Sequence, residues 1–160
     1  MSDHAADSSM VGSPARTRRY SVTAVHRVAA VVTGLLLLVD GYVHLNDASE
    51  YTQFTGPTFS EGTLFRIQGI IAIVVAILVA VWPRLWTAIV SLVIAGSAAI
   101  AATVYTYVNV GSIWPLPNLY ENTWHAPGKI AATICEGVAA LISIYLIVAS
   151  VQARRRARQG

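Results

Sequence analysis

Four apolar runs, residues 24–45, 64–82, 85–107 and 130–151, take up most of this 160-residue chain. Each is close to the ~20 residues that a helix rising ~1.5 Å per residue needs to cross a hydrocarbon layer about 30 Å thick. Soluble core helices rarely come in four such lengths. The composition agrees, with 55% hydrophobic and only 12% charged residues, where ordinary soluble domains carry about a quarter charged. The expected fold class is all-α, a transmembrane four-helix bundle running up-down-up-down. The first run reads as retained and not as a cleaved signal. Its apolar core exceeds that of a signal peptide, and it ends in DGYVHLND with no small-residue cleavage pattern. Residues 1–23, rich in Ser, Ala, Asp and Arg, have too little apolar surface to offset ordering entropy and are expected to form a disordered cytoplasmic tail. Residues 24–151 form the membrane domain, and 152–160 a second, basic cytoplasmic tail.

The basic residues fix the expected orientation. Arg16, Arg18 and Arg19 precede the first run, Arg84 lies in the WPR turn between the second and third, and Arg154, Arg155, Arg156 and Arg158 follow the last. The segment 46–63 has no Lys or Arg and 108–129 has only Lys129. By the positive-inside rule both termini are cytoplasmic (N-in, C-in), the protein is a multi-pass protein of the cytoplasmic (plasma) membrane, and the two long loops face outward. Trp82 and Trp86 then sit at the inner interface, and Tyr105, Tyr107, Trp114, Tyr120 and Trp124 at the outer one. The net charge of +3 accordingly reports topology. Its arginines lie on short tails beside apolar segments, where they meet anionic lipid, so the bilayer is the expected partner and nucleic acid is not. The single cysteine, Cys135, excludes an intramolecular disulfide framework and CxxC redox chemistry.

Within so apolar a chain the run LLLLVDGYVHLN is anomalous, because it carries Asp40 and His44 into the end of the first span. Residues four apart share a helical face, which makes these two an adjacent carboxylate–imidazole pair. At ~1.5 Å per residue from the outer helix ends, Asp40 lies roughly 7 Å deep, Gln68 roughly 6 Å and Glu136 roughly 10 Å, with Arg66 shallower. Three spans thus place polar groups in one layer. A charge in hydrocarbon costs at least ~2.5 kcal/mol, so these groups should turn inward and pair. With Asp40, Glu136 and Arg66 ionised the layer carries one net negative charge, which a proton on His44 or Glu136 cancels. The plainest reading is helix glue, an Arg66 bridge completed by Gln68 and His44. The rival reading is a proton-coupled or ligand-binding site formed by Asp40, His44, Arg66, Gln68 and Glu136. As a metal set, Asp40, His44, His125 and Glu136 offer acceptable N and O donors, but their spacing matches no metal motif. Nor is haem expected: His26 and His44 lie on one helix, ~27 Å apart along its axis, and cannot be the two axial ligands within one chain. No cofactor follows from the sequence.

The two hairpins share a pattern of a polar residue followed by glycine, in IQGIIA at 67–72 and CEGVAA at 135–140. A parallel duplication is one reading, and chance likeness between apolar strings the blander one. Small residues at four-residue steps, Ser91, Ala95, Ala99 and Thr103 on the third span and Ala131, Cys135 and Ala139 on the fourth, permit close helix approach within the bundle or in a homo-oligomer. The loop GSIWPLPNLYENTWHAPG at 111–128 has three prolines and two tryptophans and suits a lid on the outer surface better than a loose linker.

The order VHL at 43–45, GTLFRIQGIIAIVVA at 62–76 and CEGVAALI at 135–142 resembles that of uncharacterised small four-span integral membrane proteins of actinobacteria. The likeness covers the four helices and not the tails. It implies four helices with His44, Gln68 and Glu136 at recurring polar positions, and it implies no activity. The residues themselves contain no phosphate loop, nucleophile elbow or HExxH motif. A non-catalytic accessory, scaffold or assembly component, working through helix contacts with a membrane-protein partner or a second copy, is therefore the expected function. The alternative is a small proton-coupled carrier or sensor with its polar site in the outer leaflet.

Overall fold

The computed structural model describes residues 14–159, with side chains from Ala24 onward. Four long helices account for the fold: α1 (Pro14–Asp47), α2 (Glu61–Val81), α3 (Leu85–Tyr107) and α4 (Lys129–Gln159). Among the described residues there is no strand, only an isolated bridge between Thr55 and Ser60. All four helices are long and apolar enough to cross a membrane, and the chain is a multi-pass membrane protein. Their outward faces carry the large apolar side chains that lipid requires, such as Leu35 and Val39 on α1, Ile70 and Ile77 on α2 and Leu141 on α4.

Local chemistry sets the helix ends. Ser60 caps α2 by accepting from the Thr63 N–H at 3.2 Å, which satisfies one of the donors left orphaned in a first turn. Pro83 cannot continue a helix and ends α2 after Val81. A three-residue turn, Trp82 to Arg84, then leads into α3, held by Thr87 Oγ1, which accepts from Arg84 N at 3.0 Å and donates toward the Trp82 and Arg84 carbonyls at 2.8 Å. The fourth helix runs past the apolar segment to Gln159, through the arginines read above as a tail. Ala, Arg and Gln are good helix formers, and cations in a last turn suit the helix dipole. Likewise α1 reaches back to Pro14, while the rest of the tail expected over 1–23 lies outside the described residues.

The interior stripe of α1 runs Ala30, Thr33, Leu37, Asp40 and Asp47, all buried and spaced by three, four or seven residues. Its closest neighbour is α2. A Cβ built on Gly34 would stand 2.9 Å from the Ala76 carbonyl oxygen, one on Gly41 2.9 Å from that of Gly69, and one on Gly69 2.9 Å from that of Gly41. The two helices therefore touch backbone to backbone at two points seven residues apart, running in opposite directions. Leu37, Val75, Ala76, Ala95 and Ala139 join all four helices in one cluster, and Ala30, Val79, Ala88 and Leu146 join them again nearer the α2–α3 turn. Ser91 and Ala95 from the expected small-residue face are fully buried, Ala99 and Thr103 are not. Between α3 and α4, Ser143 Oγ donates to Ser91 Oγ at 2.9 Å in the dry interior.

Glycines at the two look-alike dipeptides are not equivalent. Gly69 is pressed against α1, whereas nothing lies within 4 Å of a Cβ built on Gly137. That difference favours chance likeness between the hairpins over a duplicated unit.

Candidate functional site

At the loop end of the bundle, α1 and α4 bring Asp40, His44 and Glu136 together, with one potential ligand atom from each within 4.8 Å of the others. Asp40 is fully buried and Glu136 is 1% exposed. Both positions follow from helical period: Asp40 continues the stripe of Thr33 and Leu37, and Glu136 sits between Ala132 and Ala139 on the buried face of α4. His44, one turn beyond Asp40, directs Nδ1–H to the Asp40 carbonyl at 3.0 Å. The same nitrogen is 2.9 Å from Asp40 Oδ1, but off the N–H direction, so that both carboxylate oxygens of Asp40 remain without a hydrogen-bond donor, as does Oε2 of Glu136. Phe65 of α2 braces the imidazole edge to face, with centroids 5.2 Å apart.

A cavity of about 350 Å³ opens from this trio toward the loops. His44, Gln68, Thr133 and Glu136 form its polar floor, and Leu64, Phe65, Ala98, Ala101 and Ala102 its apolar walls. Gln68 Nε2 and Thr133 Oγ1 are also buried without partners. All four helices line the cavity, and the small side chains of α3 there, Ser97, Ala98, Ala101 and Ala102, leave it room.

The mouth is acidic. Asp47, Glu61 and Glu121 line it, answered by Lys129 alone among the lysines and arginines that line the cavity. Lys129 Nζ pairs with Glu121 Oε2 at 3.1 Å and donates to the Glu121 carbonyl at 3.0 Å. Tyr51, from a 3-10 turn at Glu50–Gln53, donates to Glu121 Oε1 at 3.0 Å. Burial and this bond to a carboxylate push the Tyr51 phenol well above the usual tyrosine range. The second long loop is thereby tied across the mouth, and Glu121 N–H adds a bond to the Tyr105 carbonyl at 3.1 Å. Trp124 donates to Tyr107 Oη at 3.0 Å with Lys129 5.5 Å from its ring centroid. Gly128 closes the loop against α1 at φ +71°, where a Cβ would fall 2.6 Å from Asp47 Oδ2. Leu119, Glu121 and Pro127 of the loop expected as a lid line the cavity, whereas Trp114 is 78% exposed.

Two residues expected at the site are elsewhere. Arg66 is exposed and takes part in no ion pair among the described residues. With Glu61, Phe65 and Gln68 directed inward, the helical turn puts residue 66 on the flank, and a long cationic side chain near a helix end reaches outward to water or headgroups. The bridge from Arg66 to Asp40 or Glu136 is absent, and among the described residues no guanidinium pairs with the two carboxylates. His125 is also exposed, with its ring 3.4 Å from Thr123 Oγ1, and is not part of the trio. Conversely, Asp47, Glu61, Glu121 and Tyr51 were not singled out in the sequence. Asp47 carried a legible signal, lying seven residues from Asp40 on the same stripe; Glu121 carried none, since loop docking alone brings it to Tyr51.

In comparisons with known proteins, the chain matches no family model, no curated protein and no solved structure.

Proposed function

We propose that this protein is a small carrier or sensor of the cytoplasmic membrane, threaded up-down-up-down with both termini cytoplasmic, that admits a small cation from the outer side into the cavity at the loop end of the bundle. The observation that carries this reading is the set of buried carboxylate oxygens without donors, one of Glu136 at the floor of an accessible cavity and both of Asp40 buried beside it beneath that floor. Charge in a low-dielectric interior is costly, and a cavity that ends at Glu136, with Asp40 buried beside it and no Arg or Lys at its floor, suits a positive occupant. The acidic mouth supplies the same sign of potential for capture. Proton exchange belongs to this reading, because a cation reaching the trio displaces whatever proton it holds. An accessory or assembly role working through helix contacts alone leaves the cavity without a purpose, so it ranks second. The likeness to actinobacterial four-span proteins supplies a class and no activity.

The test is thermal unfolding of the purified protein in mild detergent with a panel of inorganic divalent cations and alkylammonium salts. A ligand at a hundred times its Kd adds about 2.7 kcal/mol, a shift expected in the wild type and lost in Glu136→Gln. If no cation protects, or if Glu136→Gln is protected equally, the proposal falls.

A further inference from the structure

We infer that Asp40, His44 and Glu136 form a binding site for one first-row divalent transition-metal ion such as Zn²⁺ or Mn²⁺, with an open coordination position facing the cavity. This rests on the cation-binding reading above and names the class of cation.

Charge comes first. Two ionised carboxylates, a neutral imidazole and a doubly charged ion sum to zero, a balance that suits so buried a set. A monovalent ion leaves one negative charge unanswered unless the trio also keeps a proton. Among the described residues no lysine or arginine supplies positive charge to the trio, since Arg66 points outward and Lys129 is engaged by Glu121 at the mouth.

The donor set comes next. One imidazole nitrogen with two carboxylate oxygens suits Zn²⁺, Mn²⁺, Fe²⁺ or Co²⁺, while Mg²⁺ and Ca²⁺ take oxygen ligands and Cu⁺ prefers sulfur. Metal–ligand bonds of about 2.0–2.2 Å require donors nearer to one another than 4.8 Å, and one pair is already in place, His44 Nδ1 and Asp40 Oδ1 at 2.9 Å. Glu136, with three side-chain torsions and Oε2 free of hydrogen bonds, is the ligand able to close the rest. To bind through Nδ1, His44 gives up its bond to the Asp40 carbonyl and carries its proton on Nε2.

A further observation is independent of the trio. Gln68 Nε2 and Thr133 Oγ1 are buried without partners and line the same cavity. Together with the trio's orphaned oxygens they leave polar atoms from three helices waiting on one small volume. Three protein ligands with an open fourth position facing a cavity is the arrangement of metal sites that exchange a ligand, not of closed structural ones. Gln68 and Thr133 then serve water or another molecule in that position. His125, which the sequence allowed as a fourth ligand, is not needed and not near.

The experiment titrates the full-length protein, purified in mild detergent and stripped with chelator, with Co²⁺ as a spectroscopic stand-in. Expected are one Co²⁺ per chain, the intense visible bands of a four- or five-coordinate inner-sphere site, displacement by Zn²⁺ and none by equal Mg²⁺. His44→Ala and Glu136→Gln, with helicity and elution checked, should weaken binding at least about tenfold, and His125→Ala should not. Retention of the bands in both ligand variants overturns the inference. So does a pale, octahedral spectrum of the wild type, a result that needs no variant to fold. An alkylammonium ion that stabilises the protein through Glu136 while Co²⁺ fails to bind refutes the metal and leaves the cation cavity standing. Failure of both removes the cavity reading as well.

Discussion

Alanine at Gly69 and at Gly137 should have opposite effects, although the two glycines look interchangeable in the sequence. A Cβ on Gly69 would meet the backbone oxygen of Gly41 at 2.9 Å and Leu45 Cγ at 2.8 Å, where ordinary contact begins near 3.4 Å, a shortfall of about 0.5 Å. Leu45 can turn aside, but the Gly41 carbonyl belongs to α1 and moves only with its helix. Overpacking of this kind costs ~1–3 kcal/mol, and an unyielding backbone contact belongs in the upper part of that range. Alanine returns about 1 kcal/mol of helix propensity, so Gly69→Ala should lose roughly 1–2 kcal/mol net. Gly137→Ala has the propensity gain and no clash, since nothing lies within 4 Å, and should be neutral or up to about 1 kcal/mol more stable. Reversible unfolding in mixed micelles, followed by helicity, measures both against the wild type. Because Asp40 and Gln68 adjoin the contact, Gly69→Ala should also weaken ligand binding at the floor of the cavity. A Gly69→Ala protein as stable as the wild type, or a Gly137→Ala protein equally damaged, would refute the close approach of α1 to α2.

Removing either partner of the buried Ser91–Ser143 bond should cost about 0.6 kcal/mol, with a double-mutant cycle recovering a coupling of that order. Arg66→Gln should stay within about 0.5 kcal/mol of the wild type in the same unfolding assay, whereas a member of the buried layer would cost far more. Tyr51 holds its proton more tightly folded than unfolded, so its contribution to stability is complete below the ordinary tyrosine pKa of about 10 and is lost as pH rises through the higher folded value. Stability of the wild type should thus decline in that alkaline window, and Tyr51→Phe should show a flatter decline in melts across the same pH series. Lys129→Gln should free Glu121 of the second loop from the start of α4 and speed proteolysis within 111–128, with the helices intact.

The spans were legible because length and hydropathy act over twenty residues at a time. Asp40, His44 and Glu136 were legible because a helix converts spacing into facing, and a carboxylate among alanines and leucines has nowhere else to turn. That logic weakens at helix ends. Arg66 is near enough to the surface to reach out, and its side chain follows solvation over polarity of neighbours. His125 lies on a loop, where spacing says nothing about direction. Glu121 and Tyr51, seventy residues apart, meet only because two loops dock, and no period encodes that. The contact between Gly41 and Gly69 was hidden for a related reason: glycine in an apolar helix announces tolerance of a close neighbour without naming it.

The tight turn at Trp82–Arg84, fastened by Thr87, fixes the angle at which α2 leaves it. From there α2 extends 21 residues to Glu61, a lever about 30 Å long at ~1.5 Å per residue. Tilting it by about 5° swings the far end by roughly 3 Å, about the diameter of a water molecule. On the proposed reading, the width of the cavity's mouth is set by the angle at which α2 leaves this turn, at the end of the bundle away from the mouth.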